Sequence, residues 1–293
     1  MPRCLLAFLA LLLCPPLRAA PRLHLLTYAT PRYRSRRARR QRLLLANDGV
    51  RLQRQAHDAP RAARLARSAL SKGGFHAARV YTPADLDWLY VQRNAAILKQ
   101  PKGSGYWVYK PYVLLHYLTQ VAEPGDTVVY CDSDYEFTAP LAPFLEPWLA
   151  PAPHVVLLDS KPDEGTWLEL DWSKRDALVL LNASVPPDTL QAWCGFVALR
   201  ATFHGVQWAA AWLTYTQDAR VVTDEPSTLG KEAAQFVENR HDQTVCSLLR
   251  LRWGIPLHRL PGSEVGPLYN WHLRGGKRRK RWPGRHLAGN RTA

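Results

Sequence analysis

Short apolar runs alternate with helical segments along the first half of this 293-residue chain. The runs 22–30 (RLHLLTYAT), 78–81 and 125–131 (GDTVVYC) have the length and apolar content of buried strands. Amphipathic or proline-started helical segments separate them. Parallel strands need long crossover connections, and helices usually provide them. The pattern therefore predicts an α/β fold with a mostly parallel sheet flanked by helices.

The second half is less regular but has the same kinds of segment. Residues 154–160 and 194–200 are typical of buried strands, and 201–217 of an amphipathic helix. Another helix is predicted for 242–254, ending at Gly254. We find no internal repeat and no linker, so the sequence favours a single domain.

The N-terminus has a basic residue, an apolar run from Leu5 to Leu13 and a small-residue exit. This order is typical of a cleavable secretory signal. We predict a signal peptide at 1–20 (or a short signal anchor), a folded domain at 21–275 and a basic, flexible tail at 276–293. The expected location is the ER or Golgi lumen or the exterior. A membrane is a partner only if the N-terminal segment stays uncleaved.

Composition limits the possible partners. A hydrophobic content of 47% excludes a disordered chain. The formal net charge of +15 favours anionic partners such as nucleotides, nucleic acids, acidic glycans or lipid headgroups. Charge alone does not choose among them.

Three cysteines remain beyond the predicted signal: Cys131, Cys194 and Cys246. They are odd in number and lack Cys-x-x-Cys spacing, so the sequence implies neither a disulfide framework nor a zinc site. At most one bridge can form among them. We expect buried free thiols instead.

Two aspartates, Asp132 and Asp134, directly follow the apolar run at 125–131. Ligands of open α/β sheets collect at the carboxyl ends of strands. Two carboxylates there repel each other unless a cation lies between them. Mg2+ and Mn2+ prefer oxygen ligands and are often shared with a substrate's phosphates. The pair therefore indicates a metal–diphosphate site, with a solvated loop as the alternative.

The residues around this pair resemble glycosyltransferases of the GT-A fold, notably those similar to glycosyltransferase family 8. The stretch YCDSDYEFTAPLAPFL is similar to their strand, Asp-x-Asp and following segment. A wider set of matches resembles a poorly characterised group of GT-A-type proteins, in order from about residue 25 to 255: TYAT, YTPADLD, GYWVYKPYVLLHYL, GDTVVYCDSD, DWSKRDALVLL, GFVALR, TDEPSTLGKE and NRHDQTVCSLL. Many members of that group have a single aspartate followed by Ala-Gly at the Asp-x-Asp position. Asp134 departs from this and favours a metal-dependent reaction.

The resemblance implies a GT-A-like (Rossmann-like) fold and transfer of a sugar from a nucleotide-sugar donor. The acceptor would be a glycan, glycoprotein or glycolipid, and the cofactor Mn2+ or Mg2+. Asp132 would contact the donor ribose or the metal, and Asp134 would bind the metal. His272 resembles a C-terminal histidine that completes the metal site in such enzymes. Thr27 and Tyr28 match a loop that contacts the nucleotide base.

Several further polar residues are candidates for the site. Lys110, in the first turn before Pro111, could face a diphosphate or be a surface lysine. Asp242 and Gln243 resemble an Asp-Gln pair that lines the donor sugar, although Asp242 could instead be a helix N-cap. Asp242 or Glu238 could also serve as a general base if the enzyme is inverting.

Two basic candidates lie in the second half. Arg175 could bind phosphate, oriented by Asp176, or form a surface ion pair with it. Lys277 opens a basic run that could close over phosphates or belong to a solvated tail. These candidates complete the predicted donor site.

Two other classes of protein could explain parts of the pattern. Haloacid-dehalogenase phosphatases also have Asp-x-Asp after a strand, but Tyr135 follows where they usually have Thr or Val. A non-catalytic protein that binds nucleotides, carbohydrates or polyanions would explain the charge. The predicted secretory signal counts against nucleic acid as a partner.

Overall fold

A computed structural model describes residues 20–30, 59–150, 152, 154–159, 165–262 and 265–270. Six strands form one sheet in the order β2-β1-β3-β6-β5-β7, and β4 pairs with β8 in a second, small sheet. The strands are β1 (Leu23–Tyr28), β2 (Ala77–Tyr81), β3 (Thr127–Cys131), β4 (Tyr135–Phe137), β5 (Val155–Leu158), β6 (Trp193–Arg200), β7 (Leu257–His258) and β8 (Leu268–Asn270).

Helices occupy the connections between these strands. They are α1 (Ala59–Ser71), α2 (Trp88–Arg93), α3 (Ala95–Leu98), α4 (Gly103–Tyr106), α5 (Tyr109–Gln120), α6 (Ala142–Leu149), α7 (Glu169–Trp172), α8 (Arg175–Leu180), α9 (Phe203–Thr216), α10 (Ala219–Val222) and α11 (Asp242–Arg252), with a 3-10 turn at Pro83–Asp85. Among the described residues, no helix is long and apolar enough to cross a membrane.

The large sheet is mixed but mostly parallel. Strand β1 pairs in parallel with β2 and β3, and β5 pairs in parallel with β7. Only β6 runs antiparallel to its neighbours in this sheet. The predicted α/β fold class is therefore confirmed. Each strand predicted from an apolar run is present within a few residues of its predicted bounds.

Alternating residues of the central strands supply two hydrophobic cores. Leu25 and Val129 point to the face covered by α1 and α6. Leu26 and Val128 point to the opposite face, covered by α5, α9 and α11. This is the two-residue period of strand side chains, and it buries both faces of the sheet.

The carboxyl ends of β1 and β3 lie at the same edge of the sheet, because the two strands are parallel. Strand β6 starts at this edge, since it runs the other way. There the N–H of Asp132 donates to the carbonyl oxygen of Gly195 at 2.8 Å. The edge thus collects the exit of β3, the entry of β6 and the helices that pack against them.

Candidate active site

Lys110 lies between two aspartates at this edge. Its Nζ is 3.1 Å from Oδ1 of Asp132 and 3.6 Å from Oδ2 of Asp242. It also donates a hydrogen bond to the carbonyl oxygen of Cys194 at 3.2 Å. Lys110 and Asp242 are buried, whereas the Asp132 side chain is 30% exposed. Helix α5, the exit of β3 and the start of α11 thus bring three charged groups together.

The local sequence explains how α5 presents this lysine. Pro111 is the third residue of the helix, where its missing N–H costs no intrahelical hydrogen bond. Lys110 therefore lies in the first turn, next to the strand ends. Its ammonium is 5.4 Å from the centre of the Tyr130 ring, within reach of a cation–π interaction. The Tyr130 hydroxyl donates to Oδ1 of Asp132 at 3.1 Å.

Burial is the largest single influence on the pKa of each of these groups. It raises the pKa of Asp242 to about 7, against the opposing effect of Lys110. Burial likewise raises the pKa of Asp132, opposed by Lys110 and reinforced by the charge of Asp134. Burial lowers the pKa of Lys110, but Asp132 and Asp242 outweigh it, so that pKa is raised overall. The lysine therefore stays charged at neutral pH, and Asp242 holds its proton more readily than an ordinary aspartate does.

Asp134 adds a second, half-exposed carboxylate two residues beyond Asp132. Such oxygens suit Mg2+ or Mn2+, and Oδ2 of Asp242 is a buried oxygen without a hydrogen-bond partner. In the described part of the chain, no group of three or more His, Cys, Asp or Glu is arranged to hold a metal. Lys110 also already supplies a positive charge to Asp132. Asp132 and Asp134 supply two carboxylates, so a cation there would need its other ligands from substrate or water oxygens, and metal binding at this pair stays a prediction.

Arg64 of α1 brings another cation to this region, which the sequence did not reveal as a site residue. Burial lowers the pKa of Arg64, and the nearby carboxylates of Glu136 and Asp134 oppose that shift. The sequence feature that could have indicated it is the spacing of three residues between Arg61, Arg64 and Arg67, which places basic side chains along one side of a helix.

A disulfide joins Cys194 of β6 to Cys246 of α11. The expectation of free thiols is therefore wrong for these two residues, and it is confirmed for Cys131, which is free and buried. The cysteines are 52 residues apart and become neighbours only when α11 packs on β6. The bridge holds the start of α11 against Cys194, whose N–H donates to Oε1 of Gln243 at 3.3 Å.

Gln243 also belongs to a buried polar network. Its Nε2 donates to Oε1 of Gln191 at 2.8 Å, and Nε2 of Gln191 donates to Oε1 of Glu169 at 3.3 Å. Glu169 is fully buried and also accepts hydrogen bonds from the hydroxyls of Ser173 and Ser247. Burial raises the pKa of Glu169, although these hydrogen bonds oppose it. The network fixes the orientation of the Gln243 side chain beside Asp242.

A left-handed turn packs against the residue that precedes Asp242. All five residues of 103–107 have positive φ, from 52° to 94°, so α4 is left-handed. The rings of Tyr106 and Trp107 lie 4.6 and 5.7 Å from the ring of His241, the N-cap of α11. His241 donates from Nδ1 to the carbonyl oxygen of Val222 at 2.8 Å, and burial lowers its pKa to about 4. Asp242 is thus the first residue of α11 and not its N-cap.

Thr27 and Tyr28 end strand β1 at the same edge of the sheet, and both are buried. The Tyr28 ring stacks on the Tyr109 ring, with 3.8 Å between centroids. Oγ1 of Thr27 is buried without a hydrogen-bond partner. Contact of these residues with a nucleotide base stays a prediction.

Arg175 is exposed at the start of α8, and Asp176 does not orient it as the sequence predicted. The carboxylate of Asp176 instead accepts hydrogen bonds from the N–H groups of Thr228 and Leu229 at 2.7–2.9 Å. The N–H of Arg175 donates to Oε2 of Glu232 at 2.7 Å. This segment anchors the 227–232 loop, and phosphate binding by Arg175 stays a prediction.

Some predictions concern residues outside the described part of the chain. They are the metal ligand His272, the phosphate-binding Lys277, the signal segment at 1–19 and the basic tail. Of the other predicted site residues, the structure brings together four charged residues and one neutral one at this edge of the sheet: Lys110, Asp132, Asp134, Asp242 and Gln243.

Comparison with known proteins gives structural likenesses only. No protein-family model matches the chain, and no curated protein matches it. The crystal structure of mouse xyloside xylosyltransferase 1 in its apo form is similar with 12% identity and a TM-score of 0.39, over 81% of this chain and 84% of that one. The apo structure of the bifunctional glycosyltransferase WbbM is similar with 11% identity and a TM-score of 0.41, over 80% of this chain and 38% of that one. Both are glycosyltransferases, and at TM-scores below 0.5 neither likeness assigns a function to this chain.

Proposed function

We propose that this protein is a glycosyltransferase that moves a sugar from a nucleotide-sugar to an acceptor hydroxyl. The observation that carries the proposal is the position of Lys110 between Asp132 and Asp242, at the carboxyl edge of a mostly parallel sheet. Ligands of open α/β sheets bind at this edge. A donor diphosphate is an anion that both Lys110 and a cation on the aspartates could hold.

Some of these residues would stabilise negative charge on the donor diphosphate, and another would accept a proton. A divalent cation on Asp132 and Asp134 would stabilise the charge of the departing nucleoside diphosphate. Lys110 would contribute a second, fixed positive charge, since its own pKa is raised. Asp242, with a pKa of about 7, is suited to take a proton from an acceptor hydroxyl near neutral pH.

The remaining substrate and location assignments belong to the same proposal. The acceptor would be a glycan, glycoprotein or glycolipid, and the cofactor Mn2+ or Mg2+. The disulfide between Cys194 and Cys246 supports an oxidising compartment such as the secretory pathway. This agrees with the signal predicted at the N-terminus.

The test is a panel of nucleotide-sugars, assayed for binding and slow hydrolysis with Mn2+ or with EDTA. We expect one donor to bind and hydrolyse in a metal-dependent way. Asp134→Ala should reduce hydrolysis at least tenfold, because one of the two metal-binding carboxylates is lost. Asp188→Ala removes an exposed carboxylate and is the matched control.

Two results would contradict the proposal. If no nucleotide-sugar responds to metal, or if Asp134→Ala behaves as native protein, the metal-assisted transferase loses its support. A donor that binds tightly but is never consumed would favour a non-catalytic nucleotide- or carbohydrate-binding protein.

A further inference from the structure

A pocket of about 600 Å³ lies beside the charged cluster, between the start of α8 and the segment 223–239 that precedes α11. Its volume is in the range of pockets that hold small ligands. Its lining includes Lys174 from the start of α8, and Thr223, Asp224 and Asn239 from the 223–239 segment. The assigned cluster of Lys110 and the aspartates does not line this pocket.

Lys174 is an unusual wall residue because its charge is buried. The residue is 2% exposed, and its Nζ has no hydrogen-bond partner among the described residues. The carboxylates of Asp176 and Asp218 feel its charge only through space. A buried donor without an acceptor costs about 1–3 kcal/mol, and more if charged. An oxygen atom supplied by a ligand would remove that cost.

Hydrogen bonds from the α8 side hold the 227–232 loop in place. Oε2 of Glu232 accepts from the N–H of Arg175, and Asp176 accepts from two successive N–H groups of the loop. On the other side, Nδ2 of Asn239 donates to the carbonyl oxygens of Val221 and Thr223 at 2.9 and 3.3 Å. Hydrogen bonds between side chains and the backbone thus fix the segments that line the pocket.

The charges of the lining select the ligand class. Two lysines line the pocket against four carboxylates: Lys174 and Lys231, and Asp224, Glu225, Glu232 and Glu238. Asp224 and Glu238 are already paired with Lys102 and Arg240, each at 3.2 Å, so the remaining charges of the lining balance and favour neither an anion nor a cation. A neutral ligand rich in hydroxyls suits such a lining, since hydroxyls donate to carboxylates and accept from an ammonium. Phe236 adds an apolar surface for the C–H face of a sugar ring.

The pocket also adjoins the proposed reaction centre. Asp224 lines it, and its N–H donates to the Tyr106 hydroxyl at 3.5 Å. Oδ1 of Asp224 lies 3.7 Å from Nε2 of His241, the residue before Asp242. A ligand against Asp224 would therefore lie next to the start of α11.

We propose that this pocket binds an uncharged, multiply hydroxylated sugar, with Lys174 donating to a ring or hydroxyl oxygen. This assignment rests on the proposed function, in which the bound sugar is the acceptor. The enzyme then selects neutral glycans over sulfated or uronic acid-containing ones. Lys174 is then a specificity-determining residue separate from the donor site.

The test measures binding of neutral disaccharides (lactose, maltose, cellobiose and chitobiose) to the full chain without nucleotide or metal, by saturation-transfer NMR and calorimetry. We expect one of them to bind, and a sulfated counterpart to bind at least fivefold more weakly. Lys174→Met should weaken binding tenfold or more, and Glu225→Gln, at the exposed rim, about threefold. The exposed Lys99→Met is the matched control and should bind as native protein does.

Hydrogen exchange provides a readout that needs no variant, in case Lys174→Met fails to fold. Bound sugar should protect 223–239 more than the rest of the described chain. The inference is overturned if no neutral disaccharide binds, if Lys174→Met binds as well as native protein, or if the sulfated sugar binds better. These failures differ from failure of the proposed function, in which disaccharides bind at Lys174 but no nucleotide-sugar is consumed.

Discussion

Asp242 is a carboxyl group that the fold keeps at the expense of stability. Folding raises its pKa from the ordinary 3.8 to about 7 because the group is buried, so the folded state binds this proton more tightly than the unfolded state. The contribution of Asp242 to the free energy of unfolding is therefore fully present at low pH and is lost as the pH rises from about 4 to 7. A residue that costs stability at neutral pH is expected where function requires its charge.

Asp242→Asn should accordingly stabilise the protein while abolishing sugar transfer. Removing the buried charge should raise the free energy of unfolding at pH 8 by about 1–3 kcal/mol, because each pKa unit corresponds to about 1.4 kcal/mol. At pH 4 the gain should vanish, because the native carboxyl is protonated there. Urea unfolding in EDTA at both pH values measures this. The exposed Asp188→Asn should change little at either pH, and a variant less stable than native protein at pH 8 would contradict the account.

Substitution of Lys110 should instead lower the free energy of unfolding. Lys110→Met leaves the buried Asp242 and the partly exposed Asp132 without their ammonium, and breaking a buried pair such as Lys110–Asp242 costs about 3–5 kcal/mol. The loss should be largest at pH 8 and smaller at pH 5, where more of the carboxyls are protonated. The same urea titrations measure it. Lys99→Met, on an exposed lysine, should stay within about 0.5 kcal/mol. A Lys110→Met loss independent of pH would show that packing and not charge is responsible.

The disulfide links strand β6 covalently to helix α11. It closes a loop of 52 residues, for which chain entropy predicts about 4 kcal/mol. The double variant Cys194→Ser/Cys246→Ser should lose about 2–4 kcal/mol of unfolding free energy. A reducing agent should lower the midpoint of native protein to that of the variant and leave the variant unchanged. Equal midpoints of native protein with and without reductant would contradict the role assigned to the bridge.

Two matched glycine substitutions separate backbone strain from steric crowding in the left-handed turn. Gly105 and Gly125 have nearly equal φ, +94° and +93°. A Cβ on Gly105 would lie 2.7 Å from Cα of Leu98, whereas a Cβ on Gly125 has nothing within 4 Å. Gly125→Ala should therefore cost only the backbone strain, about 1–2 kcal/mol.

Gly105→Ala should cost about 1–3 kcal/mol more than Gly125→Ala, because the neighbouring backbone must move. It should also displace Trp107 from His241 and change the near-ultraviolet circular dichroism, which Gly125→Ala should not do. Thermal unfolding of both variants measures the difference. Equal losses would mean that α3 yields to the added methyl group.

Elements with a local cause could be predicted from the sequence, and those that depend on distant contacts could not. The apolar run before Asp132 marks β3, and Pro111 marks the first turn of α5. The partner of Asp176 could not be predicted, since it lies in a loop 52 residues away. The disulfide has the same separation, and the left-handed turn at 103–107 depends on the side chains it packs against.

The net positive charge of the chain comes from segments outside the described residues. The described residues contain 19 Lys and Arg against 19 Asp and Glu, so the excess of +15 belongs to the other segments. Residues 31–58 contain nine arginines and two aspartates, and 271–293 contain eight basic and no acidic residues. The charge that favours anionic partners is thus not the charge that builds the Lys110 cluster.

This separation predicts that polyanion binding and sugar transfer can be uncoupled. The tested variant replaces four basic tail residues by glutamine: Arg278, Arg279, Lys280 and Arg281. The control replaces four exposed basic residues of the described domain: Arg67, Arg93, Lys99 and Arg252. Binding of a single-stranded oligonucleotide is followed against salt, where each neutralised phosphate contributes about 0.7 to the slope. The tail variant should lose about 3 from the slope, and the control less than about 1.

Nucleotide-sugar hydrolysis, measured on the same samples, should stay within about twofold of native protein for both sets. The four tail positions leave Lys277 in place, so any effect on a donor phosphate would come from the rest of the run. If both sets lower the salt slope equally, the basic charge acts as one field over the molecule. If the tail set instead abolishes hydrolysis, the tail belongs to the donor site, and the polyanion affinity and the transfer reaction share the same residues.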